Sequence, residues 1–193
     1  MARSVGIDRA QVVAVAAELA DAHGLDQLTL AQVAARLGVR LPSLYNHVDG
    51  LPGLRRELTL LRVRQLLDRV SRATIGKSGD MAVLALAQAY RSYVLEHPGV
   101  YMTTMRAPEP DELELQQLAQ RLIEVIQAVP EPYGLDDEAV IHAIRGLRSI
   151  VHGFTTLEMV GGFRMALDRD ESFTWLLQTY LAGLRRQDDK GTG

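Results

Sequence analysis

The sequence predicts an all-α protein, with an N-terminal three-helix domain of the helix-turn-helix type followed by a larger helical domain. Apolar side chains recur at helical spacing in one segment after another, and no stretch alternates apolar and polar residues as a half-buried strand would. Glycines and prolines separate these segments, where helices end and begin. We place the first domain at residues 1–50 and the second at residues 51–193.

Composition excludes several classes of protein. The 193 residues, of which 47% are hydrophobic and 23% are charged, are enough to bury one good core or two small ones. The chain has no cysteine, which excludes a disulfide scaffold, a zinc finger and a thiol nucleophile. No apolar signal segment follows Arg3, and no apolar run approaches the roughly 20 residues of a membrane span. We therefore expect a cytoplasmic protein with no membrane partner.

The overall charge is not that of a typical nucleic-acid binder. The formal net charge is −3 and the pI is near 6.0, whereas DNA-binding domains are usually basic. Residues 1–60 contain six arginines and six acidic residues, a balance of zero. The arginines are nevertheless well placed, because Arg36 and Arg40 bracket a turn and Arg55 and Arg56 open the following helix. Each of them could equally be an ordinary solvated charge.

Two helices are expected before that turn. The first spans residues 8–23, with Asp8 as a plausible N-cap. The second begins at Thr29 and Gln32, whose capping-box spacing lets each side chain satisfy the other's backbone amide, and it ends at Leu37. Both helices have an apolar face, so together they can form the floor on which a third helix is presented outward.

The segment Gly38–Val48 predicts the turn and a third helix of about seven residues. Gly38 can close the preceding helix with a positive φ, and Pro42 suits the first position of the next helix. Leu44 and Val48 lie four residues apart and would pack inward, although such a pattern could also serve the core of any short helix. Side chains that can hydrogen-bond to base edges and phosphates would then be exposed: Ser43, Tyr45, Asn46 and His47.

A long helix is expected from Leu51 to about Ala73, connecting the two domains. The stretch Gly76–Gly79 that follows it is read as a loop rather than a phosphate cradle, because the preceding glycine and the strand of a P-loop are both missing. Prolines mark the junctions between later helices. These helices are expected at residues 80–97, 98–106, 111–128, 137–160 and 170–186.

Two sets of short motifs resemble one known family. Near the N-terminus, Leu28-Thr29, Ala34, Leu37-Gly38-Val39, Leu44-Tyr45 and His47-Val48 resemble the DNA-binding domain of TetR-family transcriptional regulators. Further on, Val151-His152-Gly153, Leu157-Glu158 and Gly161-Gly162-Phe163 resemble the C-terminal ligand-binding domain of the WHG subgroup. The resemblance covers nearly the whole chain and implies a DNA-binding regulator with a helical ligand-binding and dimerisation domain.

The resemblance also implies which residues face the operator. Tyr45 and His47 would contact phosphates, and both can donate to phosphate without carrying a charge. Asn46 could pair with an adenine edge, and Arg40 could reach guanine or the backbone. The full set of implied operator-facing residues is Thr29, Arg40, Pro42, Ser43, Tyr45, Asn46 and His47.

Two positions depart from the family pattern. A lysine that is common at the start of the fourth helix is replaced in Asp49-Gly50-Leu51, which bears on one phosphate contact. The tryptophan of the WHG signature is Val151 in this chain, which either leaves room in the C-terminal core or repacks it.

Candidates for a ligand pocket lie in the second domain. Arg145, Arg148 and His152 share one face of a helix and could line a pocket for an anionic or carbonyl-bearing ligand. Alternatively, the arginines form surface ion pairs and His152 is a hydrogen-bonded core histidine. Tyrosines and methionines around His97-Pro98 suit either an adaptable cavity or an ordinary core. The pocket candidates are Tyr101, Met105 and His152.

In the family, the last two helices form a four-helix dimer interface, and both corresponding segments of this chain are widely apolar. The first carries Val140, Ile144, Leu147, Val151 and Phe154. The second carries Phe173, Leu176, Leu177, Tyr180, Leu181 and Leu184.

The leading hypothesis is a homodimeric repressor that reads a palindromic operator in double-stranded DNA and is released by a small-molecule effector, with no metal or other cofactor. A DNA-binding activator or architectural protein without a ligand is the second hypothesis, which a filled C-terminal core would favour. An enzyme is the third. Its best site would pair His142 or His152 with Glu138 or Glu158, but no nucleophile or metal-ligand partner stands at a fixed spacing from them. We therefore expect no catalytic activity.

Overall fold

The computed structural model describes residues 6–101, 107–128 and 133–191. Within these ranges the regular structure is helical and no strand is present, which confirms the predicted all-α class. In chain order the helices are α1 Arg9–His23, α2 Leu30–Leu37, α3 Leu41–Leu44, α4 Gly50–Thr74, α5 Gly79–Glu96, α6 Pro98–Tyr101, α7 Leu113–Ala128, α8 Asp137–Met159 and α9 Arg169–Gly191, with a 3₁₀ turn at Leu25–Gln27.

The described residues fall into two compact units. The first unit is built from those of Met1–Gln65 and His97–Leu115, and the second from those of Leu66–Glu96 and Gln116–Gly193. Helix α4 contributes residues to both units. The domain boundary placed at residue 50, where α4 begins, stays a prediction.

Helices α1 and α2 begin and end where local hydrogen bonding predicts. The Gln11 amide donates to the Asp8 carboxylate at 2.8 Å, and the Asp8 amide donates to the Gln11 side chain at 3.0 Å. Thr29 and Gln32 form the same reciprocal pair at α2, at 3.2 and 2.8 Å. Gly38 ends α2 with a φ of 69°, the left-handed conformation that glycine adopts without strain.

The third helix is shorter than predicted, because α3 has four residues rather than about seven. Pro42 is its second residue and not its first, since the helix begins at Leu41. After Leu44 the backbone continues as turns, in which the amides of His47 and Val48 donate to the Leu44 carbonyl at 2.9 and 3.0 Å. Periodicity could not separate these turns from a longer helix, because both arrangements place Leu44 and Val48 on the same side.

One hydrophobic core unites α1, α2, α3 and the start of α4 in the first unit. Each leucine or valine that it buries contributes about 1.5–3 kcal/mol relative to an exposed one. Helix α6 belongs to this unit and packs on α1. The core residues with no measurable exposure are Val12, Ala16, Ala20, Val33, Leu44, Leu54 and Leu58.

In the second unit, α5, α8 and α9 pack on one another. Their observed bounds follow the predicted segments closely, apart from α9, which continues to Gly191. The helix predicted at residues 98–106 is described as α6 up to Tyr101, and its remainder lies outside the described residues. Among the helices described, none combines the length and the apolar character needed to cross a membrane.

Candidate nucleic-acid interface

The exposed surface of α3 and of the turn after it is supported by two buried side chains. Leu44 has no exposed area and Val48 is 5% exposed. Tyr45, which lies between them, is 58% exposed, Asn46 is also exposed and His47 is half-buried. The apolar residues therefore hold the backbone while three hydrogen-bonding side chains remain accessible, which is the arrangement that a DNA-reading helix requires.

The other predicted operator residues lie at the starts of α2 and α3. Thr29 is the exposed N-cap of α2, and its hydroxyl lies 2.9 Å from the Gln32 side chain. Arg40 precedes α3, is exposed, and makes no side-chain capping hydrogen bond. Pro42 is exposed and Ser43 is half-buried. All seven predicted residues are thus at least partly accessible in the first unit, and their contact with DNA stays a prediction.

The arginines near this surface differ in what they contact. Arg9 forms an ion pair with Glu57. Arg55 is half-buried and donates from Nη2 to the Leu25 carbonyl at 3.4 Å, so its guanidinium is directed at the protein. Sequence position alone did not distinguish it from its exposed neighbours. The exposed arginines nearest the turn are Arg36 of α2, Arg40 before α3 and Arg56 of α4.

His152 of α8 meets Tyr90 of α5 inside the second unit. The two ring nitrogens of His152 lie 3.2 and 3.4 Å from the Tyr90 hydroxyl oxygen, and the rings meet edge to face with centroids 5.1 Å apart. Burial, and to a lesser extent the charge of Arg148, lowers the pKa of His152 from 6.5 to about 4. The imidazole is therefore neutral at pH 7. Its Nε2 atom also accepts from Arg148 Nε at 3.4 Å, so the contacts of His152 fit the alternative of a hydrogen-bonded core histidine.

The three pocket candidates are not brought together in one described site. Tyr101 is 4% exposed and belongs to the first unit, whereas His152 belongs to the second. Met105 lies outside the described residues. A cavity found in the second unit has a volume of about 10 Å³, enough for about one water molecule. It is lined by Val83, Ile126, Ala143, Ile144, Leu147, Tyr180 and Leu184.

A buried arginine, which belongs to none of the motifs found in the sequence, joins α5, α8 and α9 in the second unit. Arg91 of α5 is 3% exposed and donates to both carboxylate oxygens of Glu158 at 2.7 and 2.8 Å. It also donates to Asp170 at 2.7 Å, and its guanidinium carbon lies 5.4 and 5.0 Å from the ring centroids of Phe154 and Phe173. The hydrogen bond to Glu158 raises the pKa of Arg91 above its usual value. The sequence did carry a signal for Arg91, because it is a charged residue on the apolar stripe of α5, at helical spacing from the buried alanines and valines of that helix.

The contacts of Glu158 and Glu138 bear on the hypothesis that the protein is an enzyme. The carboxylate of Glu158 is occupied by Arg91, so it is not available as a general base for His152. His142 and Glu138 form a solvent-exposed pair, with His142 Nε2 and Glu138 Oε1 3.6 Å apart. In the part of the chain that the structure describes, no group of three histidine or acidic side chains is arranged to hold a metal ion.

Comparisons with known proteins agree with this architecture. The family model described as "Tetracyclin repressor-like, C-terminal domain" matches residues 83–180. The chain is 34% identical over 184 residues to the uncharacterized HTH-type transcriptional regulator YobS of Bacillus subtilis, covering 95% of this chain and 96% of that one. It is 36% identical over 192 residues to the uncharacterized HTH-type transcriptional regulator Rv0681 of Mycobacterium tuberculosis, covering 99% and 88%.

Among solved structures, a variant TetR from Acinetobacter baumannii AYE in complex with minocycline has the same fold, with a TM-score of 0.67 and 22% identity over 94% of this chain and 98% of that one. The helix-turn-helix unit, the second helical unit and these relatives together define a DNA-binding transcriptional regulator. The chain belongs to the TetR family. Its assignment to the WHG subgroup stays a prediction.

Proposed function

We propose that the protein is a homodimeric repressor that binds a palindromic operator in double-stranded DNA and releases it when a small-molecule effector occupies the helical domain. The observation that carries the proposal is the surface of α3 and of the turn after it, where Tyr45, Asn46 and His47 are accessible above buried Leu44 and Val48. A protein that reads chromosomal DNA would act in the cytoplasm, without catalytic activity.

The proposed contacts divide into positioning and reading. Tyr45 and His47 would donate to phosphates and set the register of the protein on the duplex. Asn46 would pair with an adenine edge, and Arg40 would reach guanine or the backbone. Near them, at the starts of α2 and α3, lie the remaining members of the proposed surface, Thr29, Pro42 and Ser43.

None of the residues that the sequence predicts for the dimer face is fully exposed. Val140, Ile144, Leu176 and Tyr180 are half-buried, and the other seven, Leu147, Val151, Phe154, Phe173, Leu177, Leu181 and Leu184, are buried within the second unit. The apolar stripes of α8 and α9 therefore serve the core of the unit itself.

The dimer is supported instead by different, exposed apolar side chains on the same two helices. Ile141 and Leu157 of α8 are 46% and 50% exposed, and Trp175 of α9 is 67% exposed. Large apolar side chains left in water on adjacent helices are typical of a surface that a second copy covers. Because Trp175 is the sole tryptophan of the chain, its emission reports on this surface directly. On dilution of the protein, a shift to longer wavelength together with a loss of mass in ultracentrifugation would support a dimer through this face, and an unchanged monomer would contradict it.

Effector release is supported by the family description and by the minocycline complex of the related TetR. Tyr101, Met105 and His152 remain the proposed effector residues. A ligand that prefers the conformation unable to bind the operator must weaken DNA affinity by the same factor, typically about 5- to 150-fold. The cavity described in the second unit, about 10 Å³, is too small for a drug-sized molecule, so an effector bound at that place would require the helices around it to move apart.

The same cavity volume favours a second candidate, a DNA-binding activator or architectural protein without a ligand. A compound screen by thermal shift distinguishes the two. A compound that raises the melting temperature and lowers operator affinity would support the repressor, whereas stabilisation with unchanged operator affinity would remove effector release from the proposal.

The first test is a selection of random duplex DNA on the purified full chain at two salt concentrations. Recovery of a palindrome whose half-sites lie about one helical turn or more apart would support a dimeric sequence reader. Failure to enrich any sequence, with binding lost at moderate salt, would refute sequence-specific reading by α3, because phosphate contacts alone give salt-sensitive and sequence-independent binding.

A further inference from the structure

Near the end of α1, the carboxylate of Asp21 collects three partners from elsewhere in the first unit. Arg62 of α4 donates to it through Nη2. The Nδ1 atom of His97 lies 3.1 Å from the same carboxylate oxygen, and the backbone amide of Gly99 in α6 donates to the other oxygen at 3.2 Å. We call these four residues the Asp21 cluster. One side chain of the helix-turn-helix unit is therefore bonded to both α4 and the α6 segment.

The side chains of the Asp21 cluster are largely shielded from water, so the electrostatic interactions between them are stronger than those of exposed ion pairs. The side chain of Arg62 is 6% exposed, that of Asp21 is 18% exposed and that of His97 is 28% exposed. Charge-assisted hydrogen bonds are stronger than neutral ones, and losing one partner of a buried pair leaves the other uncompensated. Exposed ion pairs of the same unit, such as that of Arg64 and Glu114, do not have this property.

Backbone packing at Gly99 brings α6 against α1. A Cβ atom at position 99 would lie 1.9 Å from the carbonyl oxygen of Ala20, closer than any real contact. Only glycine allows α6 to sit this close to the residue before Asp21. The hydrogen bond and the close approach therefore specify one position of α6 on α1.

The cluster stands beside two of the places where the chain passes between the units. The chain leaves the first unit after Gln65, three residues beyond Arg62, and it returns to the first unit at His97. Asp21 thus binds Arg62, close to the place where the chain leaves the first unit, and His97, the residue at which the chain returns to it. A displacement of either segment reaches α1 through this carboxylate, and α1 shares its core with α3.

We propose that Asp21 is a positioning residue that holds the helix-turn-helix on the α4 and α6 segments in the arrangement suited to the operator. The proposal rests on the proposed function, and it names the contacts through which effector binding would reach the reading surface. A coupling of this kind requires contacts that differ between two conformations. The contacts that break in the released state are those of the Asp21 cluster.

The test compares Asp21→Asn, Gly99→Ala and the control Glu114→Gln, which removes one exposed carboxylate charge from the same unit and leaves α1 untouched. Each full-length protein is titrated with three duplexes: the selected palindrome, a single half-site, and the palindrome with one base pair inserted between its half-sites. We expect Asp21→Asn and Gly99→Ala to lose about 5- to 150-fold in affinity for the palindrome, to bind the half-site as the unsubstituted chain does, and to discriminate less against the inserted base pair. Glu114→Gln should behave as the unsubstituted chain on all three.

Equal losses on the half-site and the palindrome would overturn the proposal, because the reading surface itself would then be damaged. Unchanged affinity of Asp21→Asn for the palindrome would also overturn it. Amide hydrogen exchange gives a readout without DNA, in which Asp21→Asn should speed exchange at α6 and at the end of α1 relative to Glu114→Gln. Unchanged exchange there would overturn the cluster as a link. Failure of the proposed function is seen separately, as the absence of any selected palindrome for the unsubstituted chain.

Discussion

Replacing Arg91 by methionine would show how far the second unit depends on one buried ion pair. Arg91 and Glu158 have side-chain exposures of 3% and 7%, and two hydrogen bonds of 2.7 and 2.8 Å join them. Without the guanidinium, the Glu158 carboxylate stays buried, and the remaining ion-pair partner that the structure shows for it is Arg169, which is 3.7 Å away and whose side chain is 56% exposed. We expect Arg91→Met to lower the free energy of unfolding by about 3–5 kcal/mol, the usual cost of stranding one charge of a buried pair.

The assay is urea unfolding followed by circular dichroism at one fixed protein concentration, because the stability of a dimer depends on concentration. Asp170→Asn is the matched control, since Asp170 accepts from the same guanidinium at 2.7 Å but is 79% exposed, and its loss should stay within about 1 kcal/mol. Combining Arg91→Met with Glu158→Leu should recover most of the lost stability, because no charge is then stranded. A loss below about 1 kcal/mol for Arg91→Met, or no recovery in the double variant, would refute this reasoning.

Three further predictions concern the reading surface, the dimer face and pH. Asn46→Ala should mainly relax base preference by about 1–3 kcal/mol at one operator position, whereas Tyr45→Phe should weaken all duplexes alike; equal effects of Asn46→Ala on specific and random DNA would contradict this division. Trp175→Ala should raise the dimer dissociation constant in ultracentrifugation, because it removes a 67% exposed aromatic anchor from the proposed face. His152 has a pKa of about 4 in the folded chain against 6.5 normally, so the unfolded chain binds the extra proton and stability should fall as pH drops from about 6.5 to 4. His152→Gln should flatten this part of the stability profile measured by urea unfolding, and an unchanged slope would count against the buried neutral imidazole.

Helix ends in the first unit were predictable because the groups that form them lie within a few residues of one another. Asp8 and Gln11 are three residues apart, and so are Thr29 and Gln32, so each capping box is visible in the sequence. The left-handed residue at the end of α2 is similarly visible as Gly38. The resemblance to the TetR family rests partly on this same stretch, and membership of that family is confirmed.

The length of α3 was not predictable from periodicity. Leu44 and Val48 need only to be buried on one side, and the turns that carry Val48 satisfy that requirement as well as another helical turn would. The choice between them depends on which carbonyl accepts each amide, and apolar spacing does not record it. The engagement of Arg55 with the Leu25 carbonyl was hidden for a related reason, because the partner is 30 residues away.

The sequence by itself determined the helical class, the caps and the polar residues between the buried anchors Leu44 and Val48, since these follow from contacts between neighbours along the chain. Only the tertiary structure decided which charges are paired inside. Arg91 finds Glu158 and Asp170 at separations of 67 and 79 residues, and Asp21 finds His97 and Gly99 at 76 and 78. A buried charge must be compensated by whatever the folded chain brings beside it, and that neighbour is set by the packing of helices distant in sequence.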